Sequence, residues 1–148
     1  MYHTILVPLD GSKRAETILP HVEELAQRND VKVIFLRVIT HPDPIFDIPP
    51  DPQSYEKRLK EAKHYLAVWR GNFHQKGIDA EIRVGYGHVV ATIISVANHT
   101  NADLIAMASH GRTGLPRVFY GSVAAGVLHR VDRPLLLIRS SDNGSSEL

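Results

Sequence analysis

Short runs of β-branched and aliphatic residues alternate in this chain with longer stretches whose apolar positions recur every three or four residues, and that alternation leaves few folds open. Ile5 to Pro8, Val31 to Val38, Ile78 to Val84, Leu104 to Ala108 and Leu135 to Ile138 are five apolar runs bounded by turn residues, the signature of short strands. Four helical patterns fill the gaps. Ala15, Ile18, Leu19, Val22, Leu25 and Ala26 make the first apolar stripe, and Tyr55, Leu59, Ala62, Tyr65, Leu66, Trp69 and Phe73 the second. Val89, Val90, Ile93, Ile94 and Ala97 make the third, and Val123, Ala124, Val127, Leu128 and Val131 the fourth, stopped by Pro134. Strand–helix alternation of this kind requires right-handed crossovers and a parallel sheet covered on both faces, a doubly wound five-stranded α/β fold. The 148 residues suit one such domain.

Local chemistry refines the outline. Ser12 is placed to cap the first helix, and Pro20 inside that helix is expected to bend it by freeing the Glu16 carbonyl. Pro42, Pro44, Pro49, Pro50 and Pro52 fall between Thr40 and Ser54, which predicts a long loop without helix or ladder, of the kind that serves as a lid. Ile78, Ala80, Ile82 and Val84 alternate with Asp79, Glu81 and Arg83, as an edge strand does. Leu135, Leu136, Leu137 and Ile138 do not alternate. An edge strand apolar on both faces is a pairing template, so a second copy of the chain is expected to cover it. The polar segment from Ser140 to Leu148 is expected to be a disordered tail, which leaves 1–139 as the single domain.

Seventeen Lys and Arg against sixteen Asp and Glu give a net charge of +1, too little field to hold nucleic acid or an anionic membrane. Any anion site must be local. The absence of Cys closes disulfide, thiolate and Cys–metal chemistry and accords with a reducing cytoplasm. No apolar run reaches the roughly 20 residues of a membrane span, and the N-terminus reads as a strand rather than a targeting peptide.

In a doubly wound sheet, ligands sit beyond the carboxyl ends of the strands, where the winding reverses. Those ends are Pro8-Leu9-Asp10-Gly11, Val38-Ile39-Thr40 and Ala108-Ser109-His110-Gly111. The last continues through Arg112 as a Gly-bearing turn and loop, and enters the final helix at Gly121-Ser122-Val123. Glycine lets a ligand approach the backbone, and a helix N-terminus offers unpaired N–H groups with about half a positive charge. Ser122 can cap its own helix or bond a phosphate, and Arg112 can bridge phosphate oxygens. Such a dipole contact is worth roughly 0.3 to 2 kcal/mol, whereas micromolar binding needs about 8 kcal/mol. Base and ribose contacts and a divalent cation must supply the remainder.

Four stretches resemble the universal stress protein family: Ile5-Leu6-Val7-Pro8-Leu9-Asp10-Gly11-Ser12, Ala102-Asp103-Leu104-Ile105-Ala106-Met107-Ala108-Ser109-His110-Gly111-Arg112, Gly121-Ser122-Val123-Ala124 and Arg133-Pro134-Leu135-Leu136-Leu137-Ile138. The resemblance implies a Rossmann-like, adenine-nucleotide α-hydrolase-like sheet ordered 3-2-1-4-5 and dimerisation through the fifth strand. In the ATP-binding branch it also implies Gly-x-x-Gly, nine residues, then Gly-Ser or Gly-Thr. Gly111, the nine residues to Tyr120, and Gly121-Ser122 match; the first glycine is Ala108 here, which adds a methyl near the nucleotide. Carried over by position, Pro8 and Asp10 would flank the nucleoside and Val38 would offer backbone groups to adenine. Gly111, Arg112, Gly121, Ser122 and Val123 would surround the phosphates of ATP, ADP or AMP with Mg or Mn.

Enzymatic alternatives find less support in the residues. There is no P-loop lysine and no Gly-x-Gly-x-x-Gly after the first strand. Met107-Ala108-Ser109-His110-Gly111 is not a nucleophile elbow. The nine histidines show no metal-ligand spacing; His21, His64, His74, His99 and His129 fall on helices, and only His110 sits in the phosphate turn. The expectation is a cytoplasmic, homodimeric, ATP-binding stress-response regulator without a dedicated catalytic residue. A nucleotide-free dimeric interaction module of the same fold and a weak ATPase are the alternatives.

Overall fold

The structure, a computed structural model, describes residues 1–28, 30–40, 51–111 and 121–141, with the side chains of residues 110, 111 and 141 set aside. Five strands, β1 (Thr4–Pro8), β2 (Lys32–Ile39), β3 (Asp79–Tyr86), β4 (Leu104–Gly111) and β5 (Leu135–Ser141), form one parallel sheet in the order β3-β2-β1-β4-β5. Around it lie α1 (Lys13–Glu16), α2 (Leu19–Arg28), α3 (Pro52–Gln75), α4 (Val89–Thr100) and α5 (Ser122–Arg130). The doubly wound expectation and the edge positions of the third and fifth strands are both met.

The period of two along each strand divides the core. Ile5 and Val7 of β1 join Val33 and Phe35 of β2, and α2 and α3 close that face with Val22, Leu66 and Phe73. Leu6 of β1 joins Ile34 and Leu36 of β2 and Ile105 and Met107 of β4 on the opposite face, under Ile93, Ala97 and Val127 of α4 and α5. Phe35 meets Phe73 edge-on with centroids 4.9 Å apart. β5 contributes to both layers, since Leu136 and Ile138 pack on the first cluster and Leu135 and Leu137 on the second. Its unalternating pattern therefore serves the fold by itself.

Three expectations about boundaries are corrected. The first helix is broken in two at Thr17 and Ile18 instead of bent, with Pro20 in the opening turn of α2, where its missing N–H costs nothing. The proline-rich loop ends earlier than read: Pro52 opens α3, capped by the Asp51 carboxylate, which accepts from the Gln53 N–H at 3.2 Å. Residues 41–50 of that loop lie outside the described residues. The fourth strand does not turn at Ser109; it runs on to Gly111, because β5 continues beside it with Gly111 opposite Ser141. β5 thus takes in Ser140 and Ser141, the first two residues of the expected 140–148 tail, and residues 142–148 lie outside the described residues.

The strand ends opposite the carboxyl ends are tied off by side chains. Asp103 accepts the His3 N–H at 2.8 Å and the Thr4 N–H at 2.9 Å, joining the starts of β1 and β4. Arg133 donates to the Ala97 and Ala102 carbonyls at 2.9 and 2.7 Å and to the Asn98 side chain, closing the C-terminus of α4. No helix among the described residues is long and apolar enough to cross a membrane.

Candidate nucleotide-binding site

A cleft of about 360 Å³ lies over the carboxyl ends of β1, β2 and β4, across the β1/β4 boundary where the winding reverses. It is within the usual size range for small-molecule sites, roughly 300–1,000 Å³. Pro8 and Asp10 from the end of β1, Val38 from β2, Ala108 from β4, and Ser122 and Val123 from α5 all line it. Six residues named from sequence are therefore brought together.

Asp10 is fixed by its own turn. Its Oδ1 accepts from the Ser12 N–H at 2.9 Å and the Ser12 hydroxyl at 2.6 Å, and the Ser12 hydroxyl oxygen accepts from the Ala15 N–H at 3.1 Å, capping α1 as expected. Burial pushes the Asp10 carboxyl up, but the Ser12 hydrogen bonds and the neighbouring Arg37 and Arg14 charges outweigh it and hold the group below its usual range. It is an anion at neutral pH, suited to accept hydrogen bonds from hydroxyls.

Val38 owes its position to the point at which β1 leaves the sheet. The Leu9 N–H bonds the Leu36 carbonyl at 2.8 Å. In a parallel ladder, alternate residues face the same neighbour, so the N–H and C=O of Val38 point towards β1 just beyond its end. One donor and one acceptor side by side match the edge of a purine base.

At the other end of the cleft, Gly121 caps α5 with φ 77° and ψ 158°, a conformation that is essentially glycine's alone. The first intrahelical bond runs from the Ala125 N–H to the Gly121 carbonyl. The preceding N–H groups of the first turn have no partner within the helix, which leaves them for capping groups, water or an anion. Ser122 is exposed at the cleft.

Of the remaining named residues, Ser109 falls elsewhere. Ser109 is buried and its hydroxyl donates to the Ile138 carbonyl at 3.3 Å, on the β5 side of β4. His110 and Gly111 are placed as the last two residues of β4, while Arg112 and the rest of the loop to residue 120 lie outside the described residues. Among the described residues, no group of three His, Asp or Glu side chains is placed to hold a metal. His21, His64, His74, His99 and His129 are exposed helix residues.

Sequence reasoning missed the arginines on the β2 side. Arg14, Arg37 and Arg58 line the cleft with Asp10 as the only acidic partner, a formal excess of +2 among the described residues. The signal was present in the run Val33-Ile34-Phe35-Leu36-Arg37-Val38-Ile39, where one charge interrupts an otherwise apolar strand.

A model of the universal stress protein family matches residues 1–139. The universal stress protein MJ0577 of Methanocaldococcus jannaschii is 27% identical, over 97% of this chain and 98% of its own length. The solved MJ0577 structure superposes with a TM-score of 0.79, covering 94% of this chain and 96% of that one. Two more distant structures share the fold: a universal stress protein in complex with cAMP (TM-score 0.65, 23% identity, 93% of this chain and 96% of that chain) and an Arabidopsis thaliana family protein with AMP bound (TM-score 0.69, 15% identity, 98% and 96%). With the family match spanning nearly the whole chain and the sheet order agreeing with the fold, this chain belongs to the universal stress protein family.

Proposed function

We propose that the chain is a regulatory protein that binds an adenine nucleotide, ATP or its ADP and AMP forms, in the cleft across the β1/β4 boundary. The observation that carries this is the convergence of Asp10, the Val38 backbone just beyond the end of β1 and the N-terminus of α5 on one cavity. Adenine pairs with the Val38 N–H and C=O, the ribose hydroxyls donate to Asp10, and the phosphates meet the first turn of α5 with Ser122. Family members crystallised with cAMP and AMP support the choice of ligand. Mg or Mn is carried by the phosphates and offsets their charge. No residue is assigned to catalysis, and the role is that of a regulatory module.

Equilibrium dialysis with ATP, ADP and AMP, at several Mg and Mn concentrations, tests the assignment. Binding is expected for at least one of them and is expected to be lost in Gly121→Val. No binding under any of these conditions refutes it. Ala108 lines the cleft floor and favours a second assignment, a nucleotide-free interaction module. Ala108→Gly separates the two, since it creates or tightens nucleotide binding only if that methyl is the obstacle.

We further propose that a second copy pairs with the outer edge of β5, which among the described residues is hydrogen-bonded on one side, by β4. Leu136→Lys is expected to halve the mass seen by analytical ultracentrifugation. An unchanged mass in a folded variant removes the edge-strand proposal.

A further inference from the structure

The cleft carries positive charge at the end away from the α5 N-terminus. Arg37 comes from β2, which lies two strand spacings, about 10 Å, from β4. Arg58 comes from α3, beyond it. A second recess of about 430 Å³ opens beneath α3 and shares Asp10, Arg37, Val38 and Arg58 with the main cleft.

Arg37 is held in place there. Its guanidinium carbon lies 5.6 Å from the centroid of the Tyr65 ring, and the Tyr65 hydroxyl donates to Glu16 at 2.6 Å. On its other side, the guanidinium packs so closely on Gly11 that a Cβ there would overlap it. Among the described residues no hydrogen-bond acceptor meets this half-buried guanidinium. Arg58 uses its Nη2 on the Thr40 carbonyl at 3.2 Å, one of its five N–H donors. Two arginines with donors to spare, one of them preorganised, fit a phosphate group. Glu61 is the acidic residue that this recess adds.

We propose that the cleft selects adenine nucleotides bearing a second phosphate on the 2′ or 3′ oxygen of the ribose, with Arg37 and Arg58 holding that phosphate. This rests on the nucleotide assignment above, which puts the ribose hydroxyls at Asp10, next to Arg37. In dinucleotide sites a carboxylate reads a free ribose hydroxyl, or a nearby arginine accommodates a phosphate in its place. With one oxygen phosphorylated, Asp10 takes the hydroxyl left free and the arginines take the phosphate. Here both are present, and the recess beneath α3 gives the added group room without displacing the 5′-phosphates from α5.

Isothermal titration of AMP, adenosine 2′,5′-bisphosphate and adenosine 3′,5′-bisphosphate, against the wild-type chain and against Arg37→Met, Arg37→Lys and Arg58→Met, tests this. One bisphosphate is expected to bind at least about tenfold tighter than AMP, the scale of a charge-assisted bidentate contact, and the arm that gains identifies the position. Arg58→Met, an exposed and structurally mild change, and Arg37→Met are expected to erase the gain, lowering bisphosphate affinity at least about tenfold more than AMP affinity. Arg37→Lys is expected to keep part of it. AMP binding without preference for either bisphosphate overturns this proposal and leaves the nucleotide assignment standing. Equal losses for AMP and bisphosphate in the variants overturn it as well. Failure of all three ligands to bind overturns this proposal, while the dialysis with ATP and ADP decides the nucleotide assignment separately.

Discussion

Replacing Gly11 by alanine tests the turn on which Asp10 and Arg37 both depend. Gly11 has φ 87°, where an L-residue costs roughly 1–2 kcal/mol. The new methyl also has to displace the Arg37 guanidinium, forfeiting a cation–π contact worth about 0.5–1 kcal/mol. The expected destabilisation is about 1.5–3 kcal/mol. At about 3 °C per kcal/mol for a domain of this size, Tm falls by about 5–9 °C. Gly71 supplies the control: it lies inside α3, exposed, with open space around a Cβ. Gly71→Ala is expected to stabilise by about 0.5–1 kcal/mol through helix propensity. Thermal melts followed by far-UV circular dichroism compare the two directly. A Gly11→Ala variant that melts at or above the wild-type temperature, or two glycines that shift Tm in the same direction, refutes the strained-turn account.

Three further outcomes are expected. Burial works against the charged form of Asp103, but the Thr4 and His3 N–H groups outweigh it and lower its carboxyl in the folded state, so its contribution is complete above about pH 3.9, the unfolded value, and drains away as pH falls through the folded value. Asp103→Asn should lower stability at neutral pH and flatten the acid limb of the denaturation profile; an unchanged acid limb contradicts this. Arg133→Met leaves the C-terminus of α4 without its donor, a loss of about 2 kcal/mol in urea titrations with nucleotide affinity unaltered. A Cβ on Gly85 of β3 would overlap the Thr92 side chain of α4, so Gly85→Ala should cost about 1–3 kcal/mol. Thr92→Ala in the same chain should recover much of it, and strictly additive losses in the double-mutant cycle would rule the clash out.

The topology was legible because period two and period 3.6 do not resemble each other over the lengths these elements have. The motif residues at the cleft were legible for a related reason: Pro8, Asp10, Val38 and Ser122 stand at element ends, which a pattern locates well. Pairing partners were harder to read. Ser109 to Gly111 look like a turn by composition and become strand only because β5 reaches Ser141 beside them. Pro52 looks like a helix breaker and becomes a helix opener because Asp51 precedes it. Arg37 and Arg58 are 21 positions apart in the sequence, and nothing local announces that α3 folds back over β2 to bring them to one recess.

The register of the last two strands has a practical consequence. With Gly111 beside Ser141, the described part of β5 ends on the carboxyl side of the sheet, the side on which the cleft opens, whereas β1 starts at Thr4 on the far side, where Asp103 holds it. The two ends are therefore unequal as points of attachment. A fluorophore or fused reporter joined after Ser141 is delivered to the ligand-facing side and will register occupancy; one joined ahead of Tyr2 sits a full strand length away and will serve as a silent handle.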